Sequence, residues 1–302
     1  MSINVNIISG FLGVGKTTFL KKIIPAMKGK IVLIENEFGD VGIDGNLVPD
    51  ELLIREINAG CICCSVAQDF QNAIEELAQA YNPDEILIEP SGVASLSDII
   101  KVCRRISAQG RLDIRIKHQI TIVDVSAFND YLENFGAFYL NQIQNAHIIL
   151  LSYFDDLNPE ETEKVIAQIR FANQTAFMLE EDWFSYDGEK LMEILDTIEG
   201  CEIKSNEKPA LLPARKMFRT FSITHPRIFG QSEIDQMLAS LKDQEYGFIL
   251  RAKGILKLDT NQCIHFDFTP HHTSWTYLEE PQIGKVAVIG SNLNLKKISA
   301  WF

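Results

Sequence analysis

The stretch GFLGVGKTT at residues 10–18 decides the fold of this 302-residue chain. It fits the pattern G-x-x-x-x-G-K-[ST], in which backbone N–H groups of a glycine-rich loop and of a helix N-terminus surround phosphates. A β-rich run at residues 3–9 precedes it, and apolar residues at helical spacing follow it in residues 17–27. A strand, a phosphate loop and a helix in this order predict a P-loop nucleotide-binding domain.

The positions of this motif have different predicted tasks. Lys16 is expected to reach the terminal phosphates as a catalytic residue, and the Thr17 hydroxyl is expected to ligate Mg²⁺. Glycine is needed where the backbone comes this close to phosphate. The other predicted nucleotide contacts are Gly10, Gly13, Val14, Gly15 and Thr18.

Strand and helix signals alternate through the first two thirds of the chain. Further buried strands are predicted at residues 30–35, 52–57, 85–89, 119–125, 147–151 and 175–178, and helices at 68–80, 96–107 and 159–171. Repeated βα units predict an α/β fold, with a mostly parallel sheet covered by helices on both faces.

The pattern changes near residue 196, which predicts a second domain. Residues 1–195 form the predicted nucleotide-binding domain, and the polar, turn-rich residues 196–214 form a linker. Residues 215–302 carry mainly strand signals, with an amphipathic helix at 232–241. This composition of elements predicts a smaller C-terminal α+β domain.

Composition indicates a cytoplasmic protein. The net charge of −13 and the pI near 5.0 argue against nucleic acid and anionic membranes as general partners, because phosphate neutralisation needs clustered Lys and Arg. A predicted strand beginning at Ile3 leaves no room for a signal peptide, and no apolar stretch is long enough to span a bilayer. The six cysteines are therefore expected to stay reduced.

Three of these cysteines, Cys61, Cys63 and Cys64, form a C-x-C-C motif. Three thiolates are a soft ligand set suited to Zn²⁺ or Co²⁺, with a fourth position open for transfer. A redox role and inert buried thiols are the alternatives, and the strain of a disulfide between adjacent cysteines disfavours the first. The pair His271-His272 is a weaker metal candidate, because successive side chains of a strand point to opposite faces.

Two acidic stretches are candidates for sensing the terminal phosphate. The loop ENEFGDVGIDG at residues 35–45 combines carboxylates and glycines as a switch segment does, although a solvated connector can have the same composition. Its predicted switch residues are Glu35, Asn36, Glu37, Phe38, Gly39 and Asp44. Glu89 opens the sequence EPSG at a strand end, where it is expected to act as a catalytic residue that holds Mg²⁺ or polarises the attacking water.

These motifs, in this order, resemble the CobW branch of the SIMIBI P-loop GTPases, relatives of HypB and UreG. The resemblance extends into the second domain through RAKGIL at residues 251–256 and VAVIG at 286–290. It implies a metallochaperone in which the nucleotide state governs a metal site at the C-x-C-C motif, and which delivers metal or a metallocofactor to a client protein. Relatives that dimerise around nucleotide also suggest a homodimer.

One motif departs from this family. SYFD at residues 152–155 stands where such GTPases carry N-K-x-D. Asp155 can still accept the guanine N1 and N2 hydrogens, and Tyr153 or Phe154 can replace the lysine stem that covers the base. GTP is the preferred nucleotide and ATP stays open as the alternative.

Two classes of function fit these motifs. The protein is either an enzyme that hydrolyses the nucleotide or a nucleotide-binding sensor with little turnover, and Glu89 favours hydrolysis.

Overall fold

The computed structural model describes residues 2–35, 53–56, 66–198, 218–280 and 282–302. These residues fall into two compact units, one ending at residue 198 and the other beginning at residue 218. The predicted domain boundaries at 195 and 215 and the linker between them stay predictions, because most of residues 196–214 lies outside the described ranges.

In the described part of the first unit, seven strands form one sheet. They are β1 (Ile3–Gly10), β2 (Ile31–Glu35), β3 (Leu53–Glu56), β4 (Glu85–Glu89), β5 (Ile114–Asp124), β6 (Ile148–Ser152) and β7 (Phe177–Leu179). The spatial order is β3-β2-β4-β1-β5-β6-β7, and every neighbouring pair is parallel. All seven carboxyl ends therefore lie along one edge, with β1 and its loop between β4 and β5.

Helices connect these strands. They are α1 (Lys16–Ile23), α2 (Val66–Tyr81), α3 (Leu96–Ala108), α4 (Phe128–Gln144), α5 (Pro159–Ala172) and α6 (Gly188–Thr197). The sequence analysis did not predict α4 or α6. In α4 the periodicity is interrupted by Gly136, which has φ 43° and ψ −118° inside the helix.

The core of the first unit is formed by strands that are apolar on both faces, as expected for a covered parallel sheet. Val5 and Ile7 of β1 and Ile86 and Ile88 of β4 are fully buried. They belong to one cluster with side chains of α2 and α3, including Ile74, Leu77, Ile99 and Ile106. Full burial of such a side chain stabilises the fold by about 1.5–3 kcal/mol.

In the described part of the second unit, five strands form an antiparallel sheet. They are β8 (Arg219–Thr224), β9 (Phe248–Lys257), β10 (Cys263–Phe268), β11 (Thr273–Tyr277) and β12 (Lys285–Ser291), in the spatial order β11-β10-β9-β12-β8. Helices α7 (Gln231–Ser240) and α8 (Leu295–Trp301) supply Ile234, Met237 and Ile298 to its apolar core.

The predicted fold class is confirmed: a mostly parallel α/β sheet is followed by a smaller α+β unit. The largest shift among the predicted strands is in β5, which begins at Ile114 rather than at Gln119. None of the helices in the described ranges has the length and hydropathy needed to cross a membrane.

Candidate nucleotide-binding site

The loop between β1 and α1 owes its shape to glycines. Gly10, Gly13 and Gly15 have φ values of 146°, 79° and 103°, which side chains other than glycine rarely adopt. A Cβ added to Gly10 would also lie 2.6 Å from the carbonyl oxygen of Ile122 in β5. The glycines of the phosphate-loop pattern are therefore required here by backbone conformation and by close packing on the sheet.

The Lys16 side chain lies inside this loop. It is only 7% exposed, and its Nζ donates hydrogen bonds to the carbonyl oxygens of Gly10 at 3.0 Å and Phe11 at 2.9 Å. The ammonium is thereby held at the N-terminus of α1, where the helix dipole also favours anions. Such an arrangement suits the predicted role of Lys16 in binding phosphate.

Thr17 and Glu89 lie side by side at the carboxyl edge of the sheet. The Thr17 hydroxyl donates to Glu89 Oε1 at 3.2 Å, and Glu89 Oε2 lies 3.5 Å away. Glu89 is the last residue of β4, which pairs with β1, so the strand order brings the two motifs together. A hydroxyl and a carboxylate are hard oxygen ligands of the kind Mg²⁺ prefers, and both half-buried residues fit a magnesium site.

The segment after β4 packs directly onto the phosphate loop. A Cβ added to Gly92 would lie 2.7 Å from both the backbone nitrogen and Cδ2 of Leu12. From the other side, Gln142 Nε2 of α4 donates to the carbonyl oxygens of Gly92 and Ala94, each at 3.0 Å. Gly92 therefore permits an approach that a larger residue would block, and α4 holds the EPSG segment in place.

A buried aromatic cluster fixes the phosphate loop to α4. The Phe11 ring is fully buried, and its centroid lies 4.6 Å from Tyr131, 5.3 Å from Phe135 and 5.4 Å from Tyr139. Burial, followed by the nearby Asp124 carboxylate, raises the pKa of Tyr131 and of Tyr139, so both hydroxyls stay neutral. Phe11 occupies one of the x positions of the phosphate-loop pattern, and its ring thus anchors the loop to α4.

Asp124, at the end of β5, is a buried carboxylate that the sequence analysis did not single out. Its Oδ1 accepts hydrogen bonds from Ser126 N at 2.9 Å, Ser126 Oγ at 2.6 Å and Ala127 N at 3.1 Å. The Asp-x-Ser pattern after a buried strand is a local indication of such an Asx turn. Asp124 therefore supports the connection from β5 to α4, next to the phosphate loop.

The SYFD motif is tied to the phosphate loop by its first two residues. The Ser152 hydroxyl, at the end of β6, lies 3.2 Å from the carbonyl oxygen of Val14 and 3.3 Å from that of Val123. The Tyr153 hydroxyl donates to the carbonyl oxygen of Gly13 at 3.2 Å. Asp155 follows in a 3₁₀ turn, Phe154–Asp156, with its side chain exposed. The loop keeps its contact with the phosphate loop although the usual Asn and Lys are absent.

Two aromatic residues after β7 lie against the same loop, and the sequence analysis missed them. Trp183 is fully buried and Phe184 is half-buried, and their rings stack with centroids 4.1 Å apart. A Cβ added to Gly15 would lie 3.1 Å from Phe184 Cζ and 3.3 Å from Trp183 Cζ2. The pair is adjacent in sequence, but its contact with Gly15 is visible only in the folded chain.

Comparison with known proteins agrees with this geometry. Residues 4–180 match the family described as CobW/HypB/UreG, nucleotide-binding domain. The chain belongs to this family. Two curated relatives are the zinc chaperone CobW of Sinorhizobium sp, 38% identical over 134 residues, and the zinc chaperone YjiA of Escherichia coli (strain K12), 31% identical over 188 residues. These matches cover 41% and 58% of this chain, and 37% and 56% of the two relatives.

The crystal structure of the Zn(II)-bound YjiA GTPase from E. coli is similar over 100% of this chain and 98% of that chain, with a TM-score of 0.46 and 22% sequence identity. The chain spans about half the length of the curated relatives it matches. The predicted membership of the CobW/HypB/UreG family is confirmed by the family match.

Several residues that the sequence analysis predicted to bind metal or to sense the terminal phosphate lie outside the described ranges: Cys61, Cys63, Cys64, Asn36, Glu37, Phe38, Gly39 and Asp44. Glu35 ends β2 and is in register with Glu89 of β4, which puts two carboxylate residues on adjacent strand ends. Within the described residues, no three His, Cys, Asp or Glu side chains are grouped to hold a metal ion. This includes the surroundings of His271 and His272.

Proposed function

We propose that this member of the CobW/HypB/UreG family hydrolyses GTP with Mg²⁺ and couples the nucleotide state to the binding of Zn²⁺ or Co²⁺ at Cys61, Cys63 and Cys64. The metal is then delivered to a client protein. The observation that carries the proposal is the 3.2 Å contact between Thr17 Oγ1 and Glu89 Oε1, since it joins the phosphate loop to the EPSG motif. The names of the zinc chaperone relatives support the metal-delivery part.

Each polar residue of the site has a task in this proposal. Lys16 neutralises charge on the terminal phosphates, and Thr17 and Glu89 hold Mg²⁺, which when bound neutralises charge on the phosphate oxygens. Glu89, at the end of β4, also orients the attacking water in this proposal. Because Gly92 packs on Leu12 at this point, a change in the EPSG segment is transmitted directly to the phosphate loop.

GTP is the preferred nucleotide because Asp155 is exposed at the end of β6 and offers a carboxylate for the guanine N1 and N2 hydrogens. Ser152 and Tyr153 contact the phosphate-loop backbone instead. Discrimination between GTP and ATP therefore rests on Asp155, and an ATP-binding protein is the alternative outcome of a binding test.

Linkage between the two sites tests the proposal. The affinity of the full chain for Zn²⁺ and Co²⁺ is measured without nucleotide, with GDP, and with a non-hydrolysable GTP analogue and Mg²⁺. Coupling of the usual size changes metal affinity by about 5- to 150-fold, and bound metal must change nucleotide affinity by the same factor. Equal metal affinity in all three states would contradict a nucleotide-controlled chaperone. Sedimentation in the same three states tests the implied homodimer.

A further inference from the structure

Phe184 has contacts that the phosphate-loop chemistry does not explain. Its ring lies against Gly15 and is 5.7 Å, centroid to centroid, from the ring of Tyr153. Both rings are half-buried, whereas Trp183, which stacks against Phe184, is fully buried. A partly exposed aromatic pair beside a phosphate loop is a surface on which a planar base can stack.

We propose that Phe184 is the stacking platform for the purine base of the bound nucleoside triphosphate, with Tyr153 as the second aromatic contact. This inference rests on the proposed function, because it assumes that residues 10–18 hold the triphosphate. It assigns base affinity to a residue outside the SYFD motif.

The strand order supports this placement. Thr17 and Glu89 mark the β4 side of the phosphate loop, whereas Tyr153 follows β6 and Phe184 follows β7 on the opposite side of β1. With strands about 4.8 Å apart, β4 and β6 are separated by roughly 14 Å along the carboxyl edge. An extended nucleoside triphosphate with its terminal phosphate near Glu89 therefore places its base near the two rings.

The main chain around Phe184 is fixed by contacts that do not involve its ring. Lys22 Nζ of α1 donates to the carbonyl oxygens of Phe184 at 2.9 Å and Tyr186 at 2.8 Å. Asp182 Oδ1 accepts a hydrogen bond from the Phe184 backbone N–H at 3.0 Å. A platform held in this way loses little entropy when it binds a base, and a substitution of the ring leaves its anchors in place.

Tyr153 connects the base to the phosphates. Its φ of 60° is uncommon for a bulky residue, and its hydroxyl donates to the Gly13 carbonyl oxygen at 3.2 Å. Aromatic stacking recognises the π-face that every base has. The pair Phe184 and Tyr153 therefore raises affinity for GTP and ATP alike and leaves the choice between them to Asp155.

The test compares binding of GTP, ATP and inorganic tripolyphosphate, each with Mg²⁺, to the full-length parent and variants. Phe184→Leu should weaken GTP and ATP by similar factors of about 5- to 150-fold, the range for losing one base–aromatic stack, and should leave tripolyphosphate unchanged. Phe184→Tyr, which keeps the ring, should restore nucleotide affinity. Phe171→Leu is the matched control, because Phe171 is 83% exposed on α5 and away from the loop.

Three results with the Phe184→Leu variant would overturn the inference: unchanged GTP affinity, an equal loss for tripolyphosphate, or a loss confined to GTP. An equal loss for tripolyphosphate would mean that Phe184 only supports the phosphate loop at Gly15. If the parent protein bound tripolyphosphate as tightly as GTP and ATP, the base would contribute nothing to affinity and the stacking platform would be refuted. The phosphate site would still be supported. A parent that binds none of the three would contradict the proposed function as well.

Discussion

Thr17, at the start of α1, and Glu89, at the end of β4, lie 3.2 Å apart from Oγ1 to Oε1, although 72 positions separate them in the chain. Pairing of β1 with β4 produces this contact. If Glu89 takes part in hydrolysis, Glu89→Gln should lower turnover by about 10²- to 10⁴-fold, the range for a positioned acid–base group. GTP affinity should fall much less, because Lys16 and the loop remain.

Steady-state GTP hydrolysis and equilibrium binding separate these two effects. Glu160→Gln is the control, since the Glu160 side chain is 78% exposed on α5. Turnover of Glu89→Gln equal to that of the parent would remove Glu89 from the catalytic machinery.

Lys16→Ala should abolish measurable nucleotide binding. The ammonium is buried in the loop and held by two carbonyl oxygens, so no neighbouring side chain replaces its charge on the phosphates. Calorimetric titration with GTP and Mg²⁺ measures the loss. Lys21→Ala, an exposed lysine of the same helix, should bind as the parent does. Retained affinity in Lys16→Ala would contradict the phosphate-loop assignment.

Asp155→Asn should weaken GTP by about 1–3 kcal/mol, the cost of losing one partner in a charge-assisted hydrogen bond, and leave ATP nearly unchanged. The exposed carboxylate in the 3₁₀ turn at Phe154–Asp156 motivates this expectation. Competition between GTP and ATP on the variant and on Asp156→Asn checks it. Equal losses for the two nucleotides would make Asp155 a structural residue, and a parent that prefers ATP would refute the guanine assignment.

Gly92→Ala should lower both stability and nucleotide affinity. The new Cβ would lie 2.7 Å from the Leu12 backbone nitrogen, and Gln142 holds the segment from the other side, so neither side can give way without strain. Overpacking of this kind costs about 1–3 kcal/mol. Thermal unfolding and GTP titration measure the two effects.

Gly230→Ala, in the second unit, is the control for the effect on nucleotide affinity. Its φ is −73°, and the heavy atom nearest to an added Cβ would be Glu233 Oε2, at 3.4 Å. Wild-type stability and affinity in Gly92→Ala would mean that the EPSG segment does not press on the phosphate loop.

The sequence predicted the part of the fold that local signals determine. The strand, glycine-rich loop and helix around residues 10–18 follow from one motif, and strand–helix alternation predicted the parallel sheet. Helix α4 was missed because Gly136 interrupts its periodicity. The roles of Phe11 and Phe184 were missed because they depend on contacts with Tyr131 and Gly15 that are distant in sequence.

The metal site is the part of the proposal that depends most on the family resemblance. In the double variant Cys63→Ser/Cys64→Ser, stoichiometric binding of Zn²⁺ should be lost, because one thiolate is too few for a tight zinc site. Nucleotide binding should be retained, since the contact of Lys16 with the Gly10 carbonyl oxygen and that of Thr17 with Glu89 involve no cysteine. Metal content after dialysis and GTP titration measure both.

Cys103→Ala provides the control, because a thiol that stays protonated does not bind zinc. Burial raises the pKa of Cys103 to about 12, so this thiol is not a thiolate at neutral pH, and its removal should leave metal binding at the parent level. If zinc binding survived in the double cysteine variant, the site would have to lie elsewhere, and His271 and His272 would be the next residues to replace. If zinc and nucleotide binding were both abolished, the cysteines would be structural residues rather than a separable metal site.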